Sequence, residues 1–295
     1  MLHLRKTNFM KNIFSLFLLF FSLNAIAGEE PVAYRIFDGK GKKTTFLKAA
    51  KTLLTKDVVF FGELHNNAIA HWLQLRLTQA AFELKKEQLV LSAEMFEADN
   101  QSGMNEYLSG KMADSTFRKQ VRLWPNYDTD YLPLVEFAKE NHLRFVCANV
   151  PRKLANLVYK FGTDTLMKLS AEQKSWMAPV PFVYNGELGC YKRMKEMMGG
   201  HGGDNLPKAQ AIKDATMAWF IKENVAKGQQ CIHFNGSWHS EYGEGVQWYL
   251  QQYAPQLTRS SITTVLQKDL NTLEKENLNK SDFILVVAED MTNTH

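Results

Sequence analysis

The chain has 295 residues, 45% of them hydrophobic and 22% charged, and its 35 basic against 31 acidic residues leave a formal net charge of +4. Such a composition provides for a sizeable core in one large domain, or one domain carrying a smaller insert. Lys and Arg are interleaved with acidic residues and form no long cluster, which argues against nucleic acid as a partner.

The first residues read as an export signal. Arg5, Lys6 and Lys11 supply a positive start, Ile13 to Leu23 is a short apolar run, and Ala25-Ile26-Ala27 is a small-x-small cleavage pattern before Gly28. Met10 opens a complete signal of the same kind. The apolar run falls short of the roughly 20 residues that span a bilayer. The expectation is a periplasmic protein cleaved after Ala27, so that residues 1–27 are signal peptide. No Cys follows the cleavage site to carry a lipid anchor.

Next come short, continuous apolar runs of the kind buried parallel strands show: Val58–Phe61, Leu89–Ala93, Arg144–Ala148 and Cys231–Phe234, then Ser261–Leu266 and Phe283–Val287. Helical patterns lie between them over Asn67–Lys86, Tyr131–Asn141 and Ala209–Val225. This rhythm predicts an α/β fold, a mainly parallel sheet flanked by helices. Two stretches, 99–125 and 153–208, contain no convincing strand. They are expected to form a smaller inserted helical subdomain, leaving 28–98, 126–152 and 209–295 as the α/β core. The second stretch is rich in Met and aromatic residues and ends in Gly199-Gly200-His201-Gly202-Gly203, a hinge around one His. Of the three Cys, Cys147 and Cys231 sit in apolar runs and read as packed thiols, whereas Cys190 lies in a looser segment and is the one expected to react.

Open parallel sheets hold ligands beyond the carboxyl ends of their strands. The first strand leads into Gly62-Glu63-Leu64-His65, the second into Glu94, the third into Asn149-Val150-Pro151-Arg152 and the fourth into Gly236-Ser237-Trp238-His239. Glycine in both Gly-x-x-His turns is expected to permit a tight bend. Glu63, His65, Glu94 and His239 would then form a carboxylate and imidazole set suited to a borderline divalent metal ion. The same four groups could equally be a hydrogen-bonded cluster that fixes the loops. A flat apolar ligand is one explanation for the Met and aromatic stretch, and ordinary core is the other.

These motifs, in this order, resemble those of the ChaN-like haem-binding uptake proteins of the Tiki superfamily. The resemblance rests on Phe61-Gly62-Glu63-Leu64-His65-Asn66, Ala93-Glu94-Met95-Phe96 with Gln101, Asn149-Val150-Pro151-Arg152, Tyr191, His201, Ala209-Gln210, Asp214-Ala215-Thr216-Met217-Ala218 and Gly236-Ser237-Trp238-His239. It implies a parallel sheet with flanking helices, haem binding linked to dimer formation, and a part in iron acquisition. The lipid-anchor Cys of lipoprotein members is missing, and Ser175 to Gly189 matches only loosely.

Two functions follow. The first is a haem-binding module without catalysis. Tyr191 leads as the axial ligand, with Tyr184 next, His201 as a further contact and Arg152 for a propionate. Its partners would be a second copy of the chain when haem is bound and a haem-uptake receptor or transporter. A phenolate suits ferric haem in an oxidising compartment. The alternative is a metal-dependent hydrolase that uses the two Gly-x-x-His turns and Glu94 to activate water, as other branches of the superfamily are expected to do.

Overall fold

The apolar runs build one sheet. In a computed structural model describing residues 31–199 and 203–295, the strands are β1 Tyr34–Asp38, β2 Lys43–Thr44, β3 Val58–Glu63, β4 Leu89–Glu97, β5 Arg144–Asn149, β6 Gln230–Gly236, β7 Arg259–Gln267 and β8 Phe283–Ala288. The export signal and His201 lie outside the described residues. The strand order is β2-β1-β8-β7-β3-β6-β4-β5. All pairings from β8 through β7, β3, β6 and β4 to β5 are parallel, and β1 closes one edge antiparallel to β8 and β2. Sequence reading finds the six parallel strands and misses the β1–β2 pair, which is short, edge-placed and only half-buried.

β3 is buried at all six positions, because helices cover both faces. Alternate residues point to opposite sides. Val59, Phe61, Leu91, Ile232 and Phe234 enter one core, and Val58, Phe60, Val90 and Cys231 the other. On the first face lie α1 Phe46–Leu53, α2 Ala68–Lys85, α3 Gln101–Leu108, α4 Asp114–Gln120 and α5 Leu132–Glu140. The second face belongs to α6 Arg152–Phe161, the short α7 Ala171–Ser175, α8 Gly189–Met197, α9 Asn205–Asn224 and α10 Val246–Tyr253.

The two strand-free stretches pack mainly on opposite faces of the sheet and touch at the Lys153–Asp99 ion pair, 3.0 Å. Met104, Tyr107, Phe117 and Val121 from 99–125 join the first core. Ala178, Cys190 and Tyr191 from 153–208 join the second. The sheet lies between the stretches expected to form one subdomain, and Tyr34–His295 is a single compact unit. Among the described residues no helix is long and apolar enough to cross a membrane.

Candidate functional site

The strand order explains why distant motifs converge. β6 lies between β3 and β4, with Gly62 beside Asn235, Glu63 beside Gly236, and Ala93 beside Phe234. Both Gly-x-x-His turns and Glu94 thus leave the sheet at neighbouring points on its carboxyl edge.

The glycines are needed for space rather than for bending. A Cβ at Gly62 would meet Ser237 Cα of the other turn at 3.0 Å, and one at Gly236 would stand 2.8 Å from His65 Nε2. Gly236 has φ −58° and ψ 138°, which any residue adopts. Each turn is bare so that the other can approach it.

Two carboxylate and imidazole groups result. The first is built on Glu63, which is fully buried. His65 Nδ1 is 2.9 Å from Oε1, the Tyr131 hydroxyl donates to the same oxygen at 2.7 Å, and Gln74 Nε2 donates to Oε2 at 2.5 Å. Burial works to raise the Glu63 pKa, but the His65 contact, the charges of His71 and His65 and the Gln74 amide together hold it below the usual range. His65 is raised in turn, the Glu63 bond and the charges of Glu94 and Glu63 outweighing burial. Its side chain keeps 40% exposure. Asn126 donates to the His65 carbonyl at 2.6 Å, and Trp124 stands edge-on to the ring at 4.9 Å.

The second group is closed. His239 lies between Glu94 and Asp214, with Nε2 3.0 Å from Glu94 Oε1 and Nδ1 on Asp214 Oδ1. Glu94 Oε2 accepts the Gly236 N–H at 2.8 Å. Asp214 Oδ2 accepts the Tyr191 hydroxyl at 2.7 Å. Burial would neutralise His239, but the two carboxylates push its pKa up to about 10. Glu94 is held well down by His239, against its burial. Asp214 is raised, because burial and the Glu94 charge outweigh the help it takes from His239 and Tyr191.

Glu63, His65, Glu94 and His239 all line one cleft of about 920 Å³, together with Arg152. Yet no metal shell forms. Among the described residues no three His, Cys, Asp or Glu side chains are arranged to hold an ion. The donors are already engaged: both His239 nitrogens face carboxylates, and the oxygens of Glu63 and Glu94 each have a proton donor or imidazole contact. The described residues give the metal set no support, and the four groups make the hydrogen-bonded contacts of the other reading that the sequence leaves open.

The expected haem contacts are dispersed. Tyr191 is 1% exposed, its hydroxyl is fixed on Asp214, and burial together with the Asp214 charge raises its pKa well above the ordinary phenol value. Tyr184 is half-buried, with its ring 5.8 Å from that of Tyr191. Neither tyrosine lines the cleft that holds Arg152. Cys190 is buried with its thiol pushed up to about 12, mainly by burial, so the reactive role expected of it is withdrawn. Sequence reasoning assigns no role to Asp214, Tyr131 or Gln74. Asp214 left a signal: it is one acid on the buried side of a helix, among Ala211, Ile212, Ala215 and Ala218.

The family model described as "Haem-binding uptake, Tiki superfamily, ChaN" matches residues 49–250. A solved structure described as cofacial heme binding to ChaN of Campylobacter jejuni is 16% identical, covers 86% of this chain and 97% of its own, and superposes with a TM-score of 0.65. A mutant of the erythromycin esterase EreC in its open conformation is 10% identical, with 87% of this chain and 83% of its own covered, at a TM-score of 0.46. The protein RETICULATA-RELATED 5, chloroplastic, of Arabidopsis thaliana is 24% identical over 280 residues, 84% of this chain. The match spans only 37% of that plant protein's length.

Proposed function

The chain belongs to the haem-binding uptake family of the Tiki superfamily, ChaN, and on that premise we propose that it binds haem as cargo in iron acquisition after export to the periplasm. The family match carries the reading. The Met and aromatic stretch is compatible with it. Val183, Met197 and Met198 are 69%, 70% and 47% exposed, an apolar presentation that core packing does not explain. Between Ser175 and Gly199, Tyr184 is the phenol with part of its surface in solvent, Tyr191 being buried. Tyr191 would have to leave Asp214 before its oxygen could reach iron. We therefore place Tyr184 ahead of Tyr191 as the axial ligand, and leave His201 as a further contact. An exposed haem face on one copy would be covered by a second copy, giving a dimer that depends on haem.

The test is haemin titration of the mature chain beside Tyr184→Phe and Tyr191→Phe, with mass followed by light scattering. Tyr184→Phe should lose the phenolate-to-iron absorption band, and Tyr191→Phe should keep it. If both variants keep the parent spectrum and affinity, phenolate ligation by this stretch is wrong. If the mass does not rise with haem, the dimer fails separately.

One observation favours a second, hydrolytic reading. His65 stands at the cleft with Nδ1 on buried Glu63, the arrangement of a general base whose free nitrogen can take a proton from water. Ester or amide cleavage lost in His65→Gln, with haem binding intact, would support it. No turnover of any such substrate by the parent would remove it.

A further inference from the structure

Positive charge gathers at the mouth of the cleft above the buried carboxylates. Arg122 follows α4, Arg152 opens α6 and Lys213 lies on α9, and all three line the same space. Arg122 pairs with Glu97. Even so, its pKa is lowered, first by burial and then by the like charge of Arg152. Among the described residues neither Arg152 nor Lys213 forms a close ion pair, although Lys213 lends its charge to Glu94. Two guanidiniums that repel each other across a cleft are a waiting site for an anion, since an anion relieves the repulsion and accepts their hydrogen bonds.

Two further observations point to a ligand. Asn149 is only 7% exposed and donates from Nδ2 to the Glu94 carbonyl at 3.0 Å, yet its Oδ1 is buried without a partner. A buried acceptor of this kind is uncommon, and its residue lies on the wall of the cleft. The walls also carry Trp124 and Trp238, the latter 40% exposed, aromatic side chains of the kind that pack on a ring.

We propose that the cleft binds a planar aromatic anion, a carboxylate or a phosphate monoester. The anion rests on Arg152, Arg122 and Lys213, and the ring lies on the tryptophans. The carboxylates could belong to the porphyrin itself or to a separate small acid. The site stands apart from the Tyr184 reading, because its test is made without haem.

Naphthoate and naphthyl phosphate serve as probes, with naphthalenemethanol as the neutral ring and inorganic phosphate as the anion without a ring, all titrated calorimetrically into the mature chain. Both aromatic anions should bind, and phosphate alone at least about tenfold more weakly. Arg152→Gln and Lys213→Gln should each weaken naphthoate about tenfold, the effect of one charge-assisted hydrogen bond. Arg152 is exposed, so its replacement does not threaten the fold. Trp238→Ala should weaken both aromatic probes and leave phosphate unchanged. Unaltered naphthoate affinity in Arg152→Gln, or equally tight binding of naphthalenemethanol, would overturn the proposal. Repeating the titration with haemin present identifies the source. Displacement assigns the anion to the porphyrin carboxylates, simultaneous binding assigns it to a separate acid, and either result supports an anion seat in the cleft.

Discussion

Asp214→Asn tests the closed charge cluster. In the folded chain His239 titrates at about 10 against an ordinary 6.5, which at about 1.36 kcal/mol per unit is on the order of 5 kcal/mol of preferential binding of the proton by the folded state. The folded pKa is raised, so this stabilisation is complete below about pH 6.5. It is lost as pH rises toward 10, at up to about 1.4 kcal/mol per pH unit. Asparagine keeps the shape of Asp214 and removes one of the two charges facing the imidazole. At an effective dielectric constant near 20 and about 4 Å, that charge supplies about 4 kcal/mol, or roughly three pKa units. His239 in the variant should therefore titrate near 7. The direct assay is nitrogen NMR of the histidine ring across pH 6 to 10. Urea unfolding is the second, and between pH 7 and pH 9 the parent should lose roughly 2 kcal/mol more stability than the variant does. If the parent His239 titrates below about 7.5, or the two proteins lose stability in parallel, the clamped imidazolium is wrong.

Tyr131→Phe removes the hydroxyl that donates to Glu63 Oε1 at 2.7 Å and should cost about 1–3 kcal/mol in urea unfolding, because a buried acceptor loses a donor; an unchanged midpoint would contradict that. Gly236→Ala puts a methyl 2.8 Å from His65 Nε2, so it should displace the ring and shift the His65 resonances, whereas a crystal structure with His65 unmoved would refute the spacing argument. N-terminal sequencing of periplasmic material should begin at Gly28, and a chain still beginning at Met1 or Met10 would remove the export signal.

The legible part of the fold is the part set by local pattern. Val58–Phe61 and its five companions are continuous apolar runs, and each falls within a strand. The place of β6 between β3 and β4 was not readable, because strand order is a tertiary fact. That order brings Glu94 to His239 and gives both glycines their purpose. The importance of Asp214 is not legible in the sequence, because it depends on which helix face meets the sheet edge. The two strand-free stretches share only their lack of strands, and composition does not say which face of the sheet a helix takes.

Strand β6 and its turn carry two histidines that show how far environment decides chemistry. His233 sits mid-strand, with Nδ1 on the Ser92 hydroxyl at 2.9 Å, its ring edge-on to Phe60 and Nε2 without a partner. No carboxylate touches it, and burial pushes its pKa down to about 3. His239, six residues on, is equally buried but clamped by two carboxylates, and it stays charged. The clamped imidazole has no free nitrogen, so it can neither take up a proton nor ligate iron without dismantling its own support. Its buried charge fixes the turn after β6 and Glu94. His65 differs from both, because one nitrogen is fixed on Glu63 while part of its ring remains exposed at the cleft. Of the three, it is the imidazole free to meet a ligand, and the closed cluster beneath it serves to hold its turn and the facing glycine in place.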